Sequence, residues 1–219
     1  MSFLLYRTAP VRVCAVLFLG GGTTMRAAKK QTVRRMVESA VMLAVGTVLS
    51  LFPLQGFWAL GGGITICSTL PLVIISWRYG WGWGTFTAVI YGLLQMVLGI
   101  QNVQYADSVQ TAAAIVLLDY LAAFGVIGLA GLFRGWVKNG RVGLVLGITT
   151  TFSLRFACHY ATGVWIWESL WPNELGWAAP VWSLAYNCSY MIPELILSAL
   201  VCLLSYAPLR RYYEGDDLR

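Results

Sequence analysis

Six long apolar stretches alternate with short polar ones along the chain, at roughly 37–53, 64–77, 82–100, 109–133, 142–167 and 179–206. The hydrocarbon core of a bilayer takes about 20 helical residues, so these lengths predict transmembrane helices. The second stretch is short and holds Pro71; it is expected to be broken, or to be extended by its glycine-rich lead-in. The fourth to sixth are long enough to tilt or to project beyond the membrane. The period-2 alternation of a barrel strand is absent. The pattern therefore predicts an all-α integral membrane protein with six transmembrane helices.

The polar stretches set its orientation. Arg26, Lys29, Lys30, Arg34 and Arg35 precede the first apolar stretch, Arg78 lies in the second connection, Arg134, Lys138 and Arg141 in the fourth, and Arg210 and Arg211 in the tail. The first, third and fifth connections hold no Lys or Arg, and contain Asp107, Glu168 and Glu174. Lys and Arg favour the cytoplasmic side, so both termini are expected there. The organisation is then a basic extension over 1–36, a membrane domain over 37–206 and a cytoplasmic tail over 207–219. Within the extension, Arg7 and Arg12 precede an apolar run, Val13 to Leu19, too short to span. Residues 1–24 read either as a weak signal sequence or as upstream sequence before a start at Met25, the second being preferred. Trp77, Trp81 and Trp83 flank the second connection, and Trp165, Trp167, Trp171 and Trp177 crowd the fifth, most of them as interfacial anchors.

Composition removes the soluble alternative. The chain is 58% hydrophobic and 11% charged, with a mean hydropathy of +0.70, whereas a soluble domain carries about 25% charged residues. The lipid bilayer is therefore the solvent for most of it. The net charge of +6 is spread between apolar runs, so it does not point to nucleic acid. Five cysteines are scattered without a CxxC pair, which reads as buried thiols rather than metal ligands. No phosphate-binding loop is present: Gly20–Gly22 and Gly61–Gly63 lack the Lys that GxxxxGK[ST] requires. Uphill transport would need nucleotide hydrolysis by another chain, and no catalytic residue, cofactor or metal is expected here.

Four ionisable residues interrupt the apolar stretches: Asp119, Arg155, His159 and Glu194. Each costs a few kcal/mol or more in lipid, so each is a candidate functional group; the bland alternative is an Asp119–Arg155 pair that locks two helices. In the fifth stretch Arg155, His159, Gly163 and Trp167 recur every four residues and form one helical stripe. Gly163 removes a side chain where a flat ring could approach. The sixth stretch adds Trp182, Tyr186, Asn187 and Tyr190, the fourth adds Tyr120 beside Asp119, and the first connection adds Phe57 and Trp58. A carboxylate, basic groups and several aromatics suit a small ligand with a cationic, aromatic part.

Four segments, SLRFACHYATGVWIW, WSLAYNCSYM, LLDYLAAFGVIGLAGLFRG and PLVIISWRYGWGWG, in this order and spacing, resemble the thiamine-binding S components of energy-coupling factor (ECF) transporters over roughly 37–206. The resemblance implies a thiamine pocket in the outward half, made by the last three helices. Asp119 would face the thiazolium where the family usually has Glu. Trp167 would stack on the rings, His159 would line the pocket, and Asn187 would bond the aminopyrimidine with Trp182 packed on it. Arg155, in place of a Lys, and Tyr120 would lie near the hydroxyethyl end, Gly163 would leave room, and Trp58 would close the first loop over the ligand. Tyr105 is a weak substitute for a family tyrosine before the fourth helix. The implied partners are a transmembrane coupling subunit and two ATPase subunits in a bacterial cell membrane. Ala40 and Ala44, with Gly46 close by, match the small-residue pattern by which the family's first helix docks; contact inside the bundle is the alternative on spacing alone.

Three rival functions stand beside this one: an S component for another vitamin or precursor, a self-sufficient secondary transporter, and an intramembrane enzyme using Asp119, His159 and Ser153. The second commonly shows internal repeats, and none is clear here. Ser153 and His159 are six apart and face different directions on a helix, which disfavours the third.

Overall fold

Local signals in the chain set where its helices start and stop. The computed structural model describes residues 11–54 and 62–218, with side chains from residue 29 onward. Two compact units result, Met1–Glu38 and Ser39–Arg219. Helix α1 runs over Val11–Ser50. In the first unit Arg34 Nε lies 2.8 Å from Glu38 Oε1, one turn along. At the far end Ser50 Oγ donates to Thr47 O, and Pro53 disfavours helix in the residue before it.

The second stretch departs from a plain 64–77 helix. Helix α2 covers only Leu70–Tyr79, with Pro71 in its first turn, where its missing N–H is not needed. The lead-in is non-helical: Ile64 forms an isolated antiparallel bridge with Leu54, and Cys67 is left-handed with φ 56°. Thr65 Oγ1 and Ser68 Oγ lie 2.7 Å apart, side-chain bonding of the kind that competes with helix. Ten helical residues rise about 15 Å, half the hydrocarbon thickness. Cys67, Ser68 and Thr69 are nonetheless buried in protein, the condition under which irregular backbone is tolerated at membrane depth.

The remaining long helices are α3 (Trp81–Leu98), α4 (Val109–Trp136), α5 (Gly140–Leu170) and α6 (Ala179–Tyr206), and among the described residues these four are long and apolar enough to cross a membrane. Ser108 Oγ caps α4 by accepting from Thr111 N, and Asn139 Oδ1 caps α5 by accepting from Arg141 N and Val142 N. Helix α6 begins with a Pro in its first turn. Apart from the Leu54–Ile64 bridge, the described residues contain no β-structure. Outward positions carry Val97, Leu117, Leu154, Ile196 and Leu204, while Thr87, Asp119, Thr151, Asn187 and Glu194 are buried. That inversion of the soluble pattern fits lipid as solvent. Small residues let the helices approach closely: a Cβ on Gly128 of α4 would sit 2.1 Å from Thr85 N of α3.

One end of the bundle gathers the basic connections. Arg78 is buried; its Nη1 and Nη2 each lie 3.1 Å from the Asp217 carboxylate, and its guanidinium carbon is 3.6 Å from the Tyr212 ring centroid. Arg134 Nη1 donates to Trp77 O at 2.9 Å and Arg78 O at 3.1 Å. The tail, with its short helix α7 (Arg210–Tyr213), thus folds back onto this end. Among the tryptophans read mostly as interfacial anchors, Trp77 is an exception: it lies in the core, 1% exposed, where Gly143 of α5 leaves space for its ring.

Candidate ligand-binding site

The end opposite the basic connections holds a cavity of about 690 Å³, within the range of small-molecule sites. Its wall includes Pro53, Gly62, Gly63 and Thr65 of the first connection, Gly99 and Asn102 after α3, and Glu168 and Trp171 after the spanning part of α5. All four intramembrane ionisable residues line it, from three helices: Asp119, Arg155, His159 and Glu194.

Asp119 is 8% exposed and sits on a π-helical stretch, Val116–Ala122, a local widening often found at functional sites. Its carboxylate accepts three hydrogen bonds, all from α5. His159 Nδ1 lies 2.9 Å from Oδ1, Thr162 Oγ1 donates to Oδ1 at 2.6 Å, and Trp167 Nε1 donates to Oδ2 at 2.9 Å. Facing a carboxylate, His159 Nδ1 is assigned the proton. The partner of Asp119 on α5 is therefore His159, not Arg155 as the pairing alternative had it.

A second π-helical stretch, Gly163–Trp167, explains how Trp167 reaches so far. At 3.6 residues per turn, each four-residue step drifts by about 40°, so Arg155 and Trp167 would diverge by about 120° on a pure α-helix. A wider i→i+5 turn reduces the rotation per residue and brings the indole back over Asp119.

The wall contributed by α6 is mainly aromatic. Trp182, Tyr186, Tyr190 and Glu194 recur every four residues and all line the cavity. Ring centroids are 5.9 Å apart for Trp182–Tyr186 and for Tyr186–Tyr190. Asn187 lies behind this stripe with part of its capacity used: Oδ1 accepts from Tyr190 Oη at 2.7 Å, and Nδ2 donates to Ser183 O at 2.9 Å. Tyr120 Oη donates to Gly99 O at 3.1 Å and accepts from Asn102 Nδ2 at 3.3 Å, which ties α4 to the end of α3. Glu194 accepts from Thr65 Oγ1 and so holds α6 to the lead-in of α2.

Against these satisfied groups stand three that are not. Arg155 Nε and Nη1, and His159 Nε2, are buried with no hydrogen-bond partner among the described residues. Arg155 keeps its guanidinium carbon 4.6 Å from the Phe124 ring centroid, a cation–π contact. Buried polar groups without partners are costly, and the concentration of two donors and one acceptor along one cavity wall suits a polar ligand.

Gly163 also lines the cavity, but its more direct demand comes from packing. A Cβ there would lie 2.2 Å from Ser183 Oγ and 3.0 Å from Ser183 Cβ, so α5 and α6 meet at this point. Trp58 lies outside the described residues. Tyr105 is not part of the wall; it packs edge-on against Trp171 at 5.6 Å. On α1, Ala40 and Ala44 are exposed next to exposed Val41, Val45 and Val48. The inward side of α1 is instead marked by Ser39, which accepts from Trp83 Nε1 at 2.8 Å, and Gly46, whose carbonyl accepts from Tyr91 Oη at 3.1 Å. Contact inside the bundle is therefore not what the two alanines do.

Sequence reasoning missed Thr162, and the resemblance gave no role to Tyr186, Tyr190 or Glu194, which the inventory of residues had included. The last three carried a legible signal, since with Trp182 they repeat the four-residue spacing that marked α5. Thr162 carried none beyond its place one turn from His159.

The family model described as Thiamine transporter protein (Thia_YuaJ) matches residues 36–213. The chain is 31% identical over 198 residues to the thiamine transporter ThiT of Bacillus subtilis (strain 168), a match covering 85% of this chain and 97% of that protein. Its fold is similar to a solved structure of ThiT from Listeria monocytogenes, with a TM-score of 0.68 and 21% identity, covering 83% of this chain and 98% of the other.

Proposed function

The chain belongs to the thiamine transporter protein family, and from that premise we propose that it captures thiamine as the S component of an ECF importer in a bacterial cell membrane. The observation that carries this reading is the Asp119 carboxylate, held by three donors beside the aromatic wall of one cavity. Thiamine is a cation with two flat rings. Asp119 supplies the opposing charge in a medium of low dielectric, Trp167 and Trp182 supply π-faces, and Arg155 and His159 supply the unpaired nitrogens. The three bonds to Asp119 fix the carboxylate before the ligand arrives, so little ordering entropy is lost on binding.

Six membrane passes with both termini in the cytoplasm follow from the charge asymmetry, with α2 and its buried lead-in together making the second pass. The cavity then faces the exterior. The chain binds and hands over its ligand and carries out no chemistry; a transmembrane coupling subunit and two ATPase subunits supply the energy. The coupling subunit docks on the Ala40–Ala44 face of α1, where small side chains permit close helix approach.

A titration of the detergent-solubilised protein tests the ligand. Thiamine should quench tryptophan fluorescence at micromolar levels or below, while riboflavin, biotin and the isolated pyrimidine precursor should not; quenching by one of these instead reassigns the ligand. The docking face is tested separately. Ala40→Trp should leave thiamine binding intact and reduce uptake in cells, and unchanged uptake would remove α1 from the docking surface.

A further inference from the structure

A groove of about 220 Å³ runs between α5 and α6 near the basic end, lined by Arg141, Val142, Val145, Leu146 and Leu203. It shares no residue with the cavity described above. Four of its five lining side chains are aliphatic, and Arg141 is its one polar member. The guanidinium carbon of Arg141 lies 5.5 Å from the Tyr206 ring centroid, which keeps the charge at the groove instead of free in solvent.

The charges at this end divide into two sets. Arg78 is consumed by Asp217 and Tyr212, and Arg134 by main-chain carbonyls. Lys138, Arg141, Arg210 and Arg211 are exposed and have no carboxylate within ion-pairing distance among the described residues. Tyr206 Oη in turn donates to Glu214 Oε1, so one carboxylate lies beside these four cations. Aliphatic side chains below and an excess of positive over negative charge above match a molecule with a hydrocarbon tail and an anionic head. Basic pockets between transmembrane helices take such headgroups.

We propose that this groove holds an acyl chain of an anionic phospholipid, with the phosphate bound by Arg141 and the neighbouring Lys138 and Arg210 adding attraction. A zwitterionic lipid fills the groove equally well but gains little from the cations. One Lys or Arg contact near the surface gives roughly a fivefold preference, so phosphatidylglycerol should bind at least about fivefold more tightly than phosphatidylcholine of the same chains.

Native mass spectrometry of the full-length protein, titrated with each lipid in detergent, tests this. Arg141→Gln should bring the affinity ratio down by about fivefold. Leu203→Trp, at an exposed position filling the groove, should weaken both lipids. Unfolding midpoints without lipid check that each variant is folded. In the unmodified protein, glycerol phosphate, a headgroup without chains, should fail to displace phosphatidylglycerol. Equal binding of the two lipids, an unchanged ratio in Arg141→Gln, unweakened binding in folded Leu203→Trp, or displacement by glycerol phosphate would overturn the proposal.

Discussion

Asp119→Asn will weaken thiamine binding by more than about tenfold, measured by tryptophan quenching or calorimetry on the solubilised protein. The substitution keeps the shape and removes two things at once. It deletes the negative charge that would oppose the thiazolium in a site 8% exposed, where loss of one partner of a desolvated pair costs about 3–5 kcal/mol. It also turns one acceptor atom into a donor. If the amide nitrogen takes the place of Oδ2 it confronts Trp167 Nε1, and if it takes the place of Oδ1 it confronts His159 Nδ1, while Thr162 Oγ1 can turn to donate to His159 O. Either orientation leaves at least one buried donor without an acceptor, a cost of about 1–3 kcal/mol. A factor of ten is about 1.4 kcal/mol, so tenfold is a floor. Near-native affinity in the variant would remove Asp119 from the role of counter-ion. Thr162→Val separates the two contributions: it leaves the charge and removes one of the three donors, so its loss should be smaller.

Gly163→Ala will lower the unfolding midpoint by several degrees and weaken ligand binding with it. The added Cβ meets Ser183 Oγ at 2.2 Å, which no rotamer of alanine relieves. Ser183 must turn away and give up its bond to Tyr160 O and its contact with Asn187 Nδ2, or α6 must shift away from α5. Overpacking of this kind costs about 1–3 kcal/mol, which for a chain of this size corresponds to roughly 2–12 °C. Ser183→Gly in the same chain should restore most of the loss by removing both clashing atoms. If the single variant unfolds like the unmodified protein and still binds less, Gly163 acts by leaving room for the ligand, and the packing account fails.

What lay open in the sequence was whatever depends on local physics. The stretch at 179–206 coincides with α6 (Ala179–Tyr206) because a proline in the first turn and a long apolar run are local signals. The four-residue spacing of Arg155, His159 and Gly163 put them on one side of α5 because helical period is a backbone property, whereas Trp167 rejoins them only through the π-helical turn. The second stretch was legible only as doubtful: Pro71 signalled a break, but that the helix starts there and that Thr65 of the lead-in bonds Glu194 of α6 appear only in the fold.

Pairings across the bundle were beyond reach. Nothing in composition or spacing distinguishes a carboxylate that faces Arg155 from one that faces His159, Thr162 and Trp167. The choice turns on two π-helical widenings, at Val116–Ala122 and Gly163–Trp167, which have no sequence signature. The basic residues show the same division. Their alternation along the chain predicted a charged end, yet only the folded tail decides that Arg78 is consumed by Asp217 while Arg141 lies on the Tyr206 ring without an ion pair among the described residues. By itself the sequence determined the solvent, the helical class and the faces on which chemistry would lie, since these follow from transfer energies and helical period. Which groups on those faces meet was decided only in the tertiary structure, because contacts between residues 40 or more positions apart depend on helix rotation and approach that no local pattern encodes.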